Sequence, residues 1–365
     1  MNTRITKLRT LMVNEKIDGV FVSCIPNITY LTNFSGFSTE DRDAFLLITK
    51  SNQYIFTHGI YKEVVKKQLS GFELIEMTRE NPTGKAIAQL IKNHSINKLS
   101  YEATNLSVWE YERLFKSISK KHLTQVNLVE KLRTIKDTDE IYAIKASCLL
   151  GDKTYSYVLT RLRSGMTEKD LVFEIEYFIK KNSGDISFPS IVAFGENAAF
   201  IHHQSGDRKL KKNDCVLLDF GVRLNNYCSD MSRTFFYGKA NKEKTKAYLT
   251  VLESQKKAIM YIEEKLEKKE DVKGNIADKI SRDYITQEGF VAFPYSLGHG
   301  IGLEVHESPR LSPSYDEILE NGMVFSIEPG IYLQDKMGVR IEDLFAIENN
   351  KLIPLTLSPK TLTEL

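Results

Sequence analysis

Long apolar runs are missing from this chain of 365 residues. The longest, such as Ala44 to Ile48, fall far short of the roughly 18 residues that cross a bilayer, so no membrane span is expected. The first residues, Met1 to Asp18, are charged and helix-patterned and lack the apolar core of a secretory signal. Cysteine is scarce: Cys24, Cys148, Cys215 and Cys228 form no C-x-x-C pair. That argues against a disulfide frame or a zinc knuckle and for free thiols in a reducing compartment. An excess of one charge sign is also absent. Lys and Arg number 50 against 48 for Asp and Glu, a formal net charge of +2, which removes the electrostatic case for nucleic acid as the primary partner. There is no low-complexity segment and no short-period repeat.

What is present is an ordinary globular composition, 42% hydrophobic and 27% charged, which excludes intrinsic disorder. At roughly 150 residues per domain the length suggests two domains. The first part alternates short helix and strand patterns. Leu8, Leu11 and Met12 mark an opening helix, Gly19 to Ser23 a buried strand, and Phe45 to Thr49 with Tyr54 to Thr57 a hairpin around Ser51-Asn52. A helix over Tyr61 to Leu69 and a strand over Phe72 to Met77 complete an α/β pattern. Composition shifts near residue 127, which divides the chain into an N-terminal α/β domain, 1–126, and a second domain, 127–365. Leu128 to Tyr157 reads as one long helix opening that second domain. Thr167 to Asp170 reads as a capping box before Leu171, Ile175 and Phe178. Further helices follow around Leu249 to Leu266 and Ile276 to Tyr284. Asp214 to Gly238 and Met323 to Glu348 are rich in strand pattern.

Two hairpins in the second domain each carry a pair of carboxylates. Asp219 and Asp230 flank a turn around Leu224-Asn225-Asn226, and a regular hairpin makes them cross-strand neighbours about 5 Å apart at Cβ. Glu328 and Glu342 flank a turn centred on Asp335 and should also be neighbours. Like charges so placed in apolar strands cost energy unless a cation lies between them. Arg340 shares a strand face with Glu342 and could meet a substrate carboxylate or pair with a neighbouring acid. Ser232 shares a face with Asp230. Between the hairpins runs Gly298-His299-Gly300-Ile301-Gly302, whose glycines let backbone approach a site closely. No Gly-Lys-Ser/Thr follows it, which weighs against a phosphate loop. Four carboxylates and an imidazole suit Mn²⁺, Co²⁺, Zn²⁺ or Fe²⁺. Their four negative charges would balance two divalent ions.

These segments resemble the pita-bread metallopeptidases: prolidase (Xaa-Pro dipeptidase), aminopeptidase P, methionine aminopeptidase and creatinase. The resemblance lies in Leu217 to Gly221, Tyr227 to Thr234, Gly298 to Glu307, Ile327 to Tyr332 and Gly338 to Asp343. Leu132-Arg133-Thr134-Ile135-Lys136 resembles the domain junction of the proline-specific branch. The fold implied is a creatinase/prolidase-like α/β N-terminal domain followed by an α+β pita-bread catalytic domain. Carried over by position, the metal ligands are Asp219, Asp230, His299, Glu328 and Glu342, with Asp230 and Glu342 bridging two divalent ions, Mn²⁺ foremost. His202 and His306 match the histidines that contact substrate, and Glu328 doubles as a proton shuttle. Aminopeptidase P carries a further histidine where this chain has Tyr295. The implied activity is hydrolysis of the Xaa-Pro bond in dipeptides or short peptides by a cytoplasmic homodimer. The alternatives are a creatinase-type or other small-amide hydrolase on the same fold, or a non-catalytic binding homologue.

Overall fold

A computed structural model describes residues 3–38 and 40–365. The chain divides into two units, Met1–Arg133 and Thr134–Leu365. Met1 and Asn2 of the first lie outside the described residues.

The N-terminal unit is a mixed six-stranded sheet with helices. In chain order it contains α1 (Thr3–Asn14), β1 (Gly19–Val22), α2 (Ile25–Thr32), β2 (Ala44–Thr49), β3 (Gln53–Thr57), α3 (Lys62–Gln68), β4 (Glu73–Glu76), α4 (Thr83–Asn93), β5 (Leu99–Tyr101), α5 (Val108–Phe115), β6 (Leu123–Gln125) and α6 (Leu128–Thr134). The strand order is β4-β3-β2-β1-β5-β6. Only the β1–β2 and β2–β3 pairs are antiparallel; the other three are parallel. Every residue of β1 and β2 is buried, which accounts for their unbroken apolar runs. The expected opening helix, strand and hairpin are all present.

The second unit holds α7 (Thr138–Leu159), α8 (Glu168–Lys181), β7 (Asp185–Ile186), β8 (Ile191–Phe194), β9 (Asp214–Phe220), β10 (Val222–Leu224), β11 (Tyr227–Cys228) and β12 (Met231–Tyr237). Then come α9 (Lys242–Glu267), α10 (Gly274–Gln287), β13 (Gly298–Gly300), β14 (Glu307–Leu311), β15 (Val324–Ile327), β16 (Gly330–Leu333), β17 (Met337–Arg340), β18 (Asp343–Glu348) and β19 (Lys351–Pro354). Its main sheets are β12-β9-β8 and β14-β13-β15-β18-β19.

Strand β9 shows how the unit packs. Its alternate residues serve two different cores. Val216, Leu218 and Phe220 join Leu171, Ile175 and Ile179 of α8. Cys215 and Leu217 join Val251 and Ala258 of α9 and Ile327, Val339 and Ile341 of the second hairpin. Period two therefore puts Asp219 on the side of the second hairpin.

Leu128 to Tyr157 is not one helix. It breaks into α6 and α7, because Asp137 caps α7: its side chain accepts from the Glu140 amide, and the Glu140 side chain accepts from the Asp137 amide. α6 falls in the first unit, where the Arg133 Nη1 donates to Asn27 Oδ1 at 2.7 Å. The unit boundary thus lies past the composition shift near 127. The Thr167–Asp170 capping box is present at the start of α8. All four cysteines are free and buried. Among the described residues, no helix is long and apolar enough to cross a membrane.

Candidate metal centre

The two hairpins do not pair alike. In the first, Asp219 lies opposite Ser232, and the register continues through Arg223 opposite Cys228. The turn centre therefore falls between Asn225 and Asn226, one residue beyond the expected place. Both asparagines have positive φ, 51° and 72°, as a two-residue hairpin turn of primed type requires. Asp230 is consequently offset from Asp219 by two residues and not directly opposite it. It sits where the chain leaves β11 and joins β12, outside either strand.

The second hairpin keeps the expected register. Gly330 lies opposite Arg340 and Ile327 opposite Asp343, so the same register places Glu328 across from Glu342. Both glutamates occupy the break between β15 and β16 and between β17 and β18, where the strands change sheet. Three of the four carboxylates thus stand at interruptions of strand pairing, with Asp219 near the end of β9. The hairpins meet there. The Glu342 amide donates to Ser232 O at 3.1 Å, and the Thr234 hydroxyl donates to Arg340 O at 3.1 Å.

His299 enters from β13. A Cβ on Gly298 would lie 1.8 Å from Ser326 O, and one on Gly300 would lie 2.1 Å from Ser308 O. Only glycine on both sides lets this strand run so close to its neighbours. The His299 Nδ1 lies 3.0 Å from Gly300 O, which selects the tautomer donating there and turns Nε2 toward the acids. Nε2 lies 3.3 Å from Glu328 Oε1 and 3.8 Å from Asp230 Oδ2. Asp230, His299 and Glu342 each offer a ligand atom, all within 4.8 Å of one another.

The electrostatics call for a cation. Burial, together with the neighbouring acids, pushes Asp230 and Glu342 well above the usual carboxylate range. Burial also raises Asp219, against the pull of Arg340. Burial opposes charge on His299, but Glu328 beside it wins and lifts the imidazole to about 9. Asp230 Oδ1 and Glu342 Oε1 are buried without a hydrogen-bond partner. Orphaned buried carboxylate oxygens are costly, and divalent ions are the ligands that would satisfy them. The donor set of oxygens and one imidazole fits such ions.

A cavity of about 290 Å³ opens over this cluster, lined by His202, His306, Tyr295 and Arg340 beside the acids. The rings of His306 and His299 are 4.4 Å apart, edge to face. Burial and the charge of His299 lower His306 to about 4, so it is neutral at pH 7. Of the adjacent histidines, His202 lines the cavity, whereas His203 turns away to the buried Glu168, 2.8 Å from its Oε2. The five carboxylate and imidazole ligands expected from the sequence line this one cavity together with His202, His306 and Arg340, while Ser232 does not.

Arg340 is committed internally. Its Nε donates to Ser232 Oγ at 2.7 Å, Nη1 to Tyr332 Oη at 2.7 Å and Nη2 to Asp219 Oδ2 at 2.6 Å. Ser232 Oγ in turn donates to Glu342 Oε2 at 2.8 Å. Arg340 and Ser232 thus link an acid of one hairpin to an acid of the other. Sequence reasoning overlooked Tyr332, which joins Arg340 to Tyr295, the two phenols being 2.7 Å apart. Period-two counting from Glu328 would have put Tyr332 on the same face.

Comparison with known proteins agrees with this geometry. Residues 142–349 match the family described as Metallopeptidase family M24, and residues 4–135 match the Creatinase/Prolidase N-terminal domain. A Bacillus subtilis (strain 168) protein named "Uncharacterized peptidase YqhT" is 34% identical over 363 residues, covering 98% of this chain and 99% of its own. The crystal structure of a Bacillus anthracis Xaa-Pro dipeptidase superposes with a TM-score of 0.89 at 32% identity, covering 100% of this chain and 99% of its own. That of a Thermotoga maritima X-Pro aminopeptidase gives 0.83 at 28% identity, covering 96% and 98%.

Proposed function

We infer the reaction from one premise: this chain belongs to metallopeptidase family M24, with a creatinase/prolidase N-terminal domain preceding the catalytic one. It is a hydrolase of a family that uses divalent metal to cleave peptides. Beyond that, our reading is a two-metal peptidase that cuts the bond between an N-terminal residue and proline. The observation that carries it is the pair of orphaned oxygens, Asp230 Oδ1 and Glu342 Oε1, under a cavity lined by His202 and His306.

Asp219, Asp230, His299, Glu328 and Glu342 would hold two divalent ions, Mn²⁺ by preference. Such ions supply Lewis acidity, easing deprotonation of water near neutral pH and polarising a carbonyl. Glu328 takes the proton of the attacking water on its carboxylate and hands it to the prolyl nitrogen as the C–N bond breaks. His306, neutral at pH 7, donates a hydrogen bond to the scissile carbonyl oxygen as charge gathers there, and His202, on the wall of the same cavity, assists. Arg340 positions Asp219, each of its three nitrogens donating to a side chain of the protein. The same premise extends to a cytoplasmic homodimer, checked by sedimentation of the purified protein.

The experiment compares Xaa-Pro, Xaa-Pro-Xaa-Xaa and Xaa-Ala on metal-stripped protein reloaded with Mn²⁺, Co²⁺, Zn²⁺ or Fe²⁺, with elemental analysis of each preparation. We expect two ions per chain and cleavage of the proline substrates only. Retention of no divalent metal removes the ligand assignment. Faster turnover of Xaa-Ala removes the proline specificity. Whether the longer peptide is cut separates an aminopeptidase from a dipeptidase.

A further inference from the structure

The N-terminal unit contains a larger cavity of its own, about 760 Å³, within the roughly 300–1,000 Å³ range of small-ligand sites. Its lining is one-sided in charge. Arg42, Arg79, Lys85, Lys92, Arg113 and Lys116 line it, and among the described residues no Asp or Glu does; of the six, Arg42 is paired with Glu110. Elsewhere on this unit the lysines find acids: Lys62 pairs with Glu76 at 2.8 Å and Lys131 with Glu15 at 2.8 Å. In a chain with a net charge of only +2, five cations besides the paired Arg42 around one hollow are a local excess that an entering anion would neutralise.

Two further features point into the same hollow. Helix α4 begins at its wall with Pro82 as N-cap, which offers no side-chain cap. The Lys85 and Ala86 amides bond back to Pro82 O, while the Thr83 and Gly84 amides have no acceptor. Free amides at a helix start favour an anion. Independently, the Thr83 side chain lines the cavity while the residue is only 8% exposed, and its hydroxyl has no hydrogen-bond partner. That hydroxyl is open to the cavity, where a ligand oxygen would bond it.

We propose that this cavity is a binding site for a phosphorylated small molecule, its phosphate seated on the Thr83 hydroxyl and the first amides of α4, with Lys85, Arg79 and Arg113 around it. The limited volume and the balanced charge of the whole chain favour a small ligand over nucleic acid, which needs an extended basic track.

Trp109 is the single tryptophan of the chain and is 65% exposed, with the Arg113 guanidinium 4.6 Å from its ring centroid. A ligand that draws Arg113 inward changes its fluorescence. The test titrates the metal-loaded full chain with inorganic phosphate and with glycerol 1-phosphate at constant ionic strength, following Trp109. A saturable change is expected, tighter for the ester. Thr83→Val and Lys85→Glu should each weaken binding by about tenfold or more while peptide hydrolysis without phosphate stays at the wild-type rate, which shows the variants fold. The proposal is overturned by a signal that does not saturate, by equal affinity in both variants, or by a single-stranded oligonucleotide that binds more tightly than the ester and ignores Thr83→Val.

Discussion

Asp230 and Ser232 lie two residues apart and differ in what they touch. Asp230 presents an unpartnered carboxylate oxygen to the cluster, whereas the Ser232 hydroxyl bonds Arg340 and Glu342. Asp230→Ala should therefore lose activity and bound metal together. Ser232→Ala should keep most of its metal and lose about 10–100-fold in kcat, the usual cost of removing a support to a ligand. Equal residual activities and metal contents would contradict that division. His306 gives a second contrast, since it packs edge to face on His299 without being among the acids' close partners. We expect His306→Ala to lower kcat by about 10²–10³-fold on an Xaa-Pro substrate with metal content unchanged. A variant that loses both would make His306 a ligand.

Hairpins and their interruptions do the positioning at the next scale. Both second-unit hairpins use a residue of positive φ at the turn, Asn225-Asn226 in one and Asp335 in the other. A one-residue difference in the turn centre decides whether two carboxylates face each other or sit offset. For the second hairpin the spacing alone located the centre. For the first it did not, because Leu224 and Asn225 are as plausible a turn as Asn225-Asn226 until the backbone angles are known. Strand β13 depends on its glycines in a way that can be measured. Gly298→Ala places a methyl 1.8 Å from a backbone oxygen that no side-chain rotation can move. It should destabilise the second unit by about 3 kcal/mol or more, seen as a lower thermal midpoint, and should displace His299 enough to reduce metal content. A variant with wild-type stability would mean that β13 can move away at little cost.

Over the whole molecule, each unit has its own buried acid problem and solves it differently. In the catalytic unit the solution we propose is a divalent metal. In the N-terminal unit, Glu102 is 2% exposed and accepts from the Ser23 and Cys24 amides, the Ser23 hydroxyl and the Asn27 side-chain amide. Burial and the charge of Glu130 outweigh those bonds and raise it to about 7. The folded carboxyl then keeps its proton up to about 7, while the unfolded one releases it near 4.5. Its contribution to stability is full below pH 4.5 and is lost as pH rises through 7. At about 1.36 kcal/mol per unit the loss is about 3 kcal/mol. Urea unfolding followed by Trp109 fluorescence should show wild type losing that much relative to Glu102→Gln between pH 4.5 and 8. Parallel curves would place the ionisation of Glu102 in its ordinary range.

The sequence by itself determined the residue types of the site, the two-unit order and most helices and strands, because carboxylate spacing, glycine flanks and apolar periodicity are local properties of the chain. It could not determine that α6 and α7 are separate, since the Asp137 capping box competes with a helical pattern running straight through it. Nor could it place Arg340. Whether that guanidinium meets a substrate or holds Asp219 depends on two hairpins more than a hundred residues apart being pressed together by α9 and the shared core. The same packing leaves Asp230 Oδ1 and Glu342 Oε1 buried and without partners, a property no spacing rule contains. Burial is a collective result of folding, and here it turns a list of acidic residues into a place where a cation is the lowest-energy occupant.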